Sequence, residues 1–317
     1  MSLPAGYTTR PAAMADLDAI YDLYLACSLA EHGSPDFSRA ELLSWWRDED
    51  FDLPTDSWIV LSSAGVVAGY ADVSHDPSGG LNFGGRVHPD HTGRGIGGSL
   101  VAWAERRAAT LVASMPEETG VTLHQWVPVA NGPARELLRS AGFAPARRFW
   151  RMRIDMEEPP TAPAWPSGVA PRAFVRGQDE AATHQAVQDA FYDHWRHDFV
   201  PLDRWVRREI EREDFDASLW FLATEGDEIV GVAHCRMDGE MGWIDELGVR
   251  PEWRRRGVAR ALLQTVFTAF DNRGVHVVGL GVDAQSETGA PQLYEEAGMR
   301  MYRQWDIYEK AFDSARE

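Results

Sequence analysis

The sequence has few cysteines and no long apolar run. Cys27 and Cys235 are the only cysteines among 317 residues, too few for a disulfide framework or a cysteine-based zinc site. No apolar stretch approaches the roughly 18 residues of a membrane span, and the N-terminal residues lack the charged and apolar regions of a signal peptide. We therefore expect a cytoplasmic globular protein with no membrane partner.

Basic charge is also scarce. The chain has 31 basic residues against 49 acidic ones, which gives a formal net charge of −18 at pH 7. A nucleic-acid-binding protein needs clustered basic residues to neutralise phosphates, and no long basic run is present. The composition therefore predicts no nucleic-acid partner.

What the sequence does contain is an internal repeat, which is the first feature to look for in a chain of two-domain length. Residues 162 positions apart are identical at matching places along each half of the chain. The pairs are Arg10 and Arg172, Trp58 and Trp220, Gly69 and Gly231, Pro89 and Pro251, and Gly95 and Gly257. A proline-rich stretch separates the copies. We predict a first domain over 1–156, a linker over 157–167 and a second domain over 168–317.

Each copy shows the same order of predicted elements. A short strand precedes two helices, and three β-type runs follow, then a long amphipathic helix, a strand, a short helix and a last strand. The second helix of the first copy opens with Ser38 and Glu41, the spacing of a capping box. This order predicts an α/β fold, in which each domain has a mixed, mostly antiparallel sheet flanked by helices.

A glycine-containing loop joins a strand to the long helix of each copy. In the second copy it carries Arg254, Arg255 and Arg256 before Gly257. Free amides at a helix N-terminus form an anion site, and arginines add charge-assisted contacts to phosphate. Because the loop matches neither GxxxxGK[ST] nor GxGxxG, it predicts a pyrophosphate on a different carrier.

This strand, loop and helix resemble the segment V-x-P-x-x-[RQ]-x-x-G-x-[GA] of the GNAT N-acetyltransferase superfamily, which binds the pyrophosphate of acetyl-CoA. The second copy matches it at Val249, Pro251, Arg254, Gly257 and Ala259. The first copy matches at Val87, Pro89, Gly95 and Gly97 but has Thr92 where Arg or Gln is usual. The resemblance covers nearly the whole chain, as two tandem domains.

The resemblance implies acetyl-CoA as acyl donor and points to the residues that would bind it. In the second copy these are Leu247, Gly248, Val249, Arg254, Arg255, Arg256, Gly257, Val258, Ala259, Arg260 and Ser286. In the first copy they are Val87, Arg94, Gly95, Ile96, Gly97 and Gly98.

Candidates for the acid and the base occur in the second copy alone. The resemblance makes Tyr294 the general acid that protonates the CoA sulfur, and the aligned first-copy residue is Leu138. Asp245 and Glu246 lie in an apolar strand, where a carboxylate is costly to bury unless it faces a cleft. Either could be the base, and period-two alternation puts Asp245 on the face of Val249 and Glu246 on the opposite one.

The sequence thus predicts an N-acetyltransferase that passes acetyl directly to the primary amine of a small molecule, with chemistry in the second domain. His194 and Trp195 lie where the superfamily lines its acceptor pocket, and the negative net charge suits a cationic amine. An acyl-CoA sensor without turnover is the alternative. We expect no metal, because His88 and His91 lack a third spaced ligand. Monomer and homodimer both remain open.

Overall fold

The computed structural model describes residues 3–76, 80–115, 120–197, 199–212 and 214–312. Its contacts divide the chain into two compact units. Unit 1 comprises Met1–Arg148 and Gln304–Glu317, and unit 2 comprises Phe149–Arg303. Both units have the predicted α/β architecture.

The first half of the chain forms the elements of the predicted repeat in the predicted order, with one additional short helix over Leu53–Asp56 that was not predicted. They are β1 (Tyr7–Arg10), α1 (Leu17–His32), α2 (Arg39–Trp46), α3 (Leu53–Asp56), β2 (Ser57–Ser62), β3 (Val67–His75), β4 (Leu81–Val87), α4 (Ile96–Ser114), β5 (Val121–Pro128), α5 (Gly132–Ser140) and β6 (Ala144–Asp155). The capping box of α2 is confirmed, since Ser38 Oγ accepts from the Glu41 amide at 3.1 Å and Glu41 Oε2 accepts from the Ser38 amide at 2.7 Å.

The second half repeats the pattern. Its elements are β7 (Val169–Ala173), α6 (Glu180–Phe191), α7 (Leu202–Glu209), β8 (Trp220–Glu225), β9 (Glu228–Asp238), β10 (Met241–Val249), α8 (Val258–Asp271), β11 (Val277–Asp283), α9 (Ala290–Glu296) and β12 (Arg300–Phe312). Strands β7 to β10 are antiparallel neighbours, and β10 pairs in parallel with β11.

The last strands depart from the contiguous domains predicted from the sequence. Residues 149–155 of β6 pair antiparallel with β11 and belong to unit 2, whereas residues 305–312 of β12 pair antiparallel with β5 and belong to unit 1. Each copy therefore completes the other copy's sheet. The hydrogen bonds between strands join backbone groups that all strands have in common. The last strand of either copy can therefore pair with the edge of either sheet.

Two apolar layers enclose the sheet of unit 2. On one face, Val258, Leu262 and Phe270 of α8 pack into a buried core with strand residues such as Ile244 and Val249. A second buried cluster, which includes Trp205 of α7, covers β8 and β9. Within the described ranges, no helix is both long and apolar enough to cross a membrane.

Candidate active site

A β-bulge in β10 separates the two candidate carboxylates. Ile244 pairs with Cys235 of β9, and Glu246 pairs with the next residue, His234, so that Asp245 is the extra residue. Ile244 and Cys235 both lie in the core beneath α8, whereas His234 lies beside Trp205 of α7. The bulge therefore turns Glu246 to the face covered by α6 and α7.

Glu246 contacts a buried histidine. Its Oε2 lies 3.0 Å from Nδ1 of His234, and about a quarter of its side chain is exposed. Burial raises the pKa of the Glu246 carboxyl, but the contact with His234 and the charges of Arg208 and His197 outweigh it, so the pKa lies below its usual value. At neutral pH the group is a carboxylate able to accept a proton.

Asp245 has a different environment. Its Oδ1 accepts from Nε of Arg236 at 3.0 Å. Burial raises the pKa of Asp245 to about 6, against the lowering effect of the Arg236 charge. Arg236 is two residues from His234 on β9 and so shares its face, which places the Asp245 carboxylate on that side of the sheet and not on the face of Val249 that strict alternation predicts. Its carboxylate is held in an ion pair with a strand neighbour.

The predicted loop ends in a glycine that starts α8. Gly257 is the N-cap residue at φ 90°, a left-handed conformation that favours glycine. A Cβ at this position would meet no atom within 4 Å, and Gly257 itself is exposed, so there is open space beside the turn that precedes α8. Of the neighbouring candidates, Leu247, Ala259 and Arg260 are accessible, whereas Gly248, Val249 and Val258 are buried.

The three arginines of the loop have different contacts. The guanidinium of Arg254 donates to Asp193 Oδ1 and to the Ala190 carbonyl, both at 2.9 Å, and so fastens the loop to the end of α6. Arg256 lies over the Trp253 ring at 4.7 Å. Arg255 is exposed and has φ 62°, which is unusual for a residue with a side chain.

Tyr294 lies in α9 and is 6% exposed. Burial raises the pKa of its hydroxyl above the usual value, so the hydroxyl stays protonated at neutral pH and can donate. It makes no hydrogen bond to any residue of the described ranges. Ser286 precedes α9, and its hydroxyl lies 2.8 Å from the hydroxyl of Thr288.

The acceptor candidates follow α6. His194 is exposed, and its amide donates to the Phe191 carbonyl at 2.8 Å. Trp195 is half-buried, and its ring lies 6.2 Å from that of Phe149 in β6. Because Phe149 belongs to the exchanged strand, the sequence repeat gave no reason to place it beside Trp195.

Unit 1 holds a cavity of about 350 Å³ at its own glycine loop. The residues around it include Val87, Gly95, Ile96, Gly97 and Gly98 of the motif. Arg94 is not among them, because its guanidinium donates to the Tyr7 hydroxyl at 3.2 Å and to the Asp90 carbonyl at 3.0 Å. Five of the six first-copy candidates therefore face one cavity.

The cavity of unit 1 also contains charged residues that the sequence analysis missed. Arg86 of β4 and Glu31 of α1 both line it. The Arg86 guanidinium lies 5.1 Å above the Tyr24 ring, and Asn131 donates to Glu31 Oε1 at 2.5 Å. Burial raises the pKa of Glu31. The repeat could have pointed to Arg86, because it aligns with Gly248, which is a candidate for donor binding in the second copy.

Unit 1 lacks the acid and the base at the matching places. Gly84 stands opposite Asp72 in the ladder of β3 and β4, as Glu246 stands opposite His234 in unit 2. Asp72 accepts from the Gly84 amide at 3.1 Å and is buried. Leu138 is buried at the place of Tyr294. In the described part of the chain, no group of three or more His, Cys, Asp or Glu could hold a metal.

Comparison with known proteins gives one consistent family. The model of the acetyltransferase (GNAT) family matches twice, over residues 17–143 and 181–299. A mycothiol acetyltransferase of Thermobispora bispora is 32% identical over 259 residues, which cover 79% of this chain and 81% of the relative. A mycothiol acetyltransferase of Cellulomonas flavigena is 31% identical over 295 residues, which cover 89% of this chain and 82% of the relative.

Comparison with solved structures points to the same family. A GCN5-related N-acetyltransferase from Sphaerobacter thermophilus is 37% identical, with a TM-score of 0.87 over 100% of this chain and 99% of that one. A tandem GNAT protein from the clavulanic acid biosynthesis pathway is 16% identical and shares the fold. Its TM-score is 0.73, and the match covers 98% of this chain and 99% of that one. Because the family model matches twice and these relatives are similar over most of their length, the chain belongs to the GNAT acetyltransferase family and is an N-acetyltransferase.

Proposed function

We propose that the enzyme transfers acetyl from acetyl-CoA to the primary amine of a small molecule, with the chemistry in unit 2. One difference between the units supports this most directly. Unit 2 has Glu246 and Tyr294 where unit 1 has Gly84 and Leu138. Base and acid are therefore present together in one unit and absent together from the other.

The loop of unit 2 suits the pyrophosphate of acetyl-CoA. Open space lies beside the turn that precedes α8, and free amides with the positive end of a helix dipole bind anions. Arg255 and Arg256 add positive charge beside them. Arg254, which pairs with Asp193, contributes by fixing the loop rather than by a free charge.

Glu246 and Tyr294 divide the proton transfers of an acyl transfer. The Glu246 carboxylate takes a proton from the amine, directly or through water, as nitrogen attacks the thioester carbonyl. A backbone amide near Leu247 to Val249 stabilises the developing oxyanion. The Tyr294 hydroxyl gives its proton to the departing sulfur. Asp245, held by Arg236, takes no part in either transfer.

The acceptor follows from the relatives and the charge. Both relatives are named mycothiol acetyltransferase, and we propose a mycothiol-related amine as acceptor. His194 and Trp195 would line its site, next to Phe149. An amine is cationic at neutral pH, so the net charge of −18 assists its approach.

Unit 1 would bind acetyl-CoA without turnover. Its motif residues surround a cavity, but Gly84 and Leu138 stand at the places of the base and the acid, so no proton transfer is available there. In this proposal unit 2 catalyses the transfer, and unit 1 binds acetyl-CoA without catalysing it.

Thiol release from acetyl-CoA over a panel of amines tests this function. The panel contains aminoglycosides, polyamines, amino acids and cysteinyl sugars, and turnover is expected with a cysteinyl sugar. If no amine is acetylated while acetyl-CoA still raises the melting temperature, the chain is a sensor. Calorimetric titration is expected to give two acetyl-CoA per chain, and a single equivalent lost on changing Gly257 would exclude binding by unit 1.

Arg255 offers a test of the loop itself. At φ 62° a side chain costs about 1 kcal/mol relative to glycine, and the aligned residue in unit 1 is Gly93 at φ 72°. Arg255→Gly and Arg255→Ala remove the same charge, so we expect both to raise KM for acetyl-CoA by roughly 3- to 10-fold, the loss of one charged contact.

The two variants should differ in stability. Arg255→Gly relieves the backbone strain, and Arg255→Ala keeps it, so the glycine variant should unfold at a higher denaturant concentration. Equal KM values for both variants and the wild type would show that Arg255 does not contact the donor.

A further inference from the structure

His234 of β9 is a buried histidine that the mechanism above does not use. It is 1% exposed. Its ring is stacked on Trp220 of β8, with centroids 3.7 Å apart and planes 11° apart, and lies 6.0 Å from the Trp205 ring of α7. Two tryptophans therefore fix the plane of the imidazole.

One polar atom of this ring lies next to a carboxylate. Nδ1 lies 3.0 Å from Oε2 of Glu246, a close polar contact that does not meet the geometry of a hydrogen bond. Nε2 is buried with no hydrogen-bond partner in the part of the chain that the structure describes. A buried polar ring of this kind is costly, and Glu246 is the group that can compensate for it.

The bulge creates this contact. Across β9 and β10 the ladder would place Asp245 opposite His234 if the register continued from Ile244, but the extra residue brings Glu246 there instead. We propose that His234 is a positioning residue, which holds the Glu246 carboxylate in place and keeps it ionised for the acceptor amine. The proposal rests on the proposed function of Glu246 as base.

The repeat supports a paired role. In unit 1 the same two ladder positions hold Asp72 and Gly84. A side chain at Gly84 would collide with Asp72, since a Cβ there would lie 2.3 Å from Oδ1. The histidine and the glutamate are thus both absent from the unit that also lacks the tyrosine, as expected if they act together.

The charges around Glu246 give the direction of the pH effect. The groups that face it are His234 from β9, Arg208 from α7 and His197 from the segment before α7, and all three lower the pKa of its carboxyl against burial. Burial raises the pKa of the Glu246 carboxyl, and His234 counteracts this effect. Removing the His234 contact should therefore raise the pKa of Glu246. The base would then become protonated at a higher pH, and the acid limb of kcat/KM should move up.

Two substitutions separate positioning from packing. His234→Phe keeps an aromatic ring on Trp220 but has no N–H group. His234→Asn loses the ring but places an amide N–H near the position of Nδ1. If His234 serves to hold the carboxylate, the asparagine variant should be the more active; if it serves to fill the core, the phenylalanine variant should be.

The experiment uses the full chain with acetyl-CoA and the panel amine that turns over fastest. The acid limb of kcat/KM is expected to move up by about one pH unit or more in His234→Phe, with kcat lowered about tenfold, and to stay near the wild-type position in His234→Asn. Carbon-13 NMR follows the Glu246 carboxyl directly, identified as the signal that Glu246→Gln lacks.

An unmoved Glu246 titration in His234→Phe, or a larger shift in His234→Asn, would overturn the proposal. Melting temperatures show whether each variant is folded, and the NMR titration needs no acceptor. If Glu246→Gln keeps its full kcat, Glu246 is not the base and the proposed function fails. The NMR result distinguishes that failure from the absence of coupling between His234 and Glu246.

Discussion

Glu246→Gln is expected to lower kcat by about 10²- to 10⁴-fold, the range that general base catalysis supplies. The amide keeps the size of the side chain but cannot accept the amine proton. Acetyl-CoA should bind as tightly as in the wild type, because Glu246 lies on the face of β10 opposite α8. Steady-state kinetics with the panel amine and calorimetry with acetyl-CoA measure the two effects separately.

Asp245→Asn is the matched control. It is the same change at the adjacent residue, whose carboxylate is paired with Arg236. We expect kcat to fall less than about tenfold, because the change removes the ion pair with Arg236 but no group assigned to the proton transfers. A larger loss in Asp245→Asn than in Glu246→Gln would reverse the assignment of the base.

Tyr294→Phe is expected to lower kcat by about 10²-fold or more with little change in KM, because the departing sulfur loses its proton donor. The ring remains in the core of unit 2. The hydroxyl makes no hydrogen bond to a described residue, so its removal should leave the melting temperature within a few degrees of the wild type. The pH dependence of the residual activity and the release of thiol from acetyl-CoA provide the measurements.

Tyr308→Phe gives the comparison in unit 1. Tyr308 is fully buried in β12, and its hydroxyl accepts from Arg135 Nε at 3.4 Å. The same atom is removed from a residue of unit 1, to which the proposed mechanism assigns no proton transfer, so kcat should be unchanged. A loss of kcat as large as in Tyr294→Phe would mean that deleting a buried hydroxyl perturbs the enzyme in general.

Much of the local structure around the candidate site could be predicted from the sequence, because it depends on residues close together in the chain. Few residues other than glycine can adopt the backbone conformation at the start of these helices. Gly95 and Gly257 both cap their helices in left-handed conformations, at φ 84° and 90°. The repeat alone likewise shows that the first copy has leucine at position 138 in place of the tyrosine and no carboxylate within residues 82–86. Local chemistry and internal alignment were sufficient for these residues.

The rest depends on pairing between distant residues. His234 became relevant only through the register of β9 against β10, which a single extra residue shifts. The cavity of unit 1, with Arg86 and Glu31, depends on how α1 packs on β4. Arg254 matched the motif, but its guanidinium is engaged by Asp193, a contact across 61 residues of sequence. Periodicity describes one element at a time and cannot supply such contacts.

The exchange of terminal strands has a consequence for synthesis. Strand β5 of unit 1 lacks its antiparallel partner until residues 305–312 have left the ribosome, although the other strands of its sheet are complete about two hundred residues earlier. Domains usually fold in the order of translation, but here the first unit is finished last. Between these moments β5 exposes an unpaired edge, the kind of surface that favours aggregation, and the growing chain must protect it for the whole of that interval.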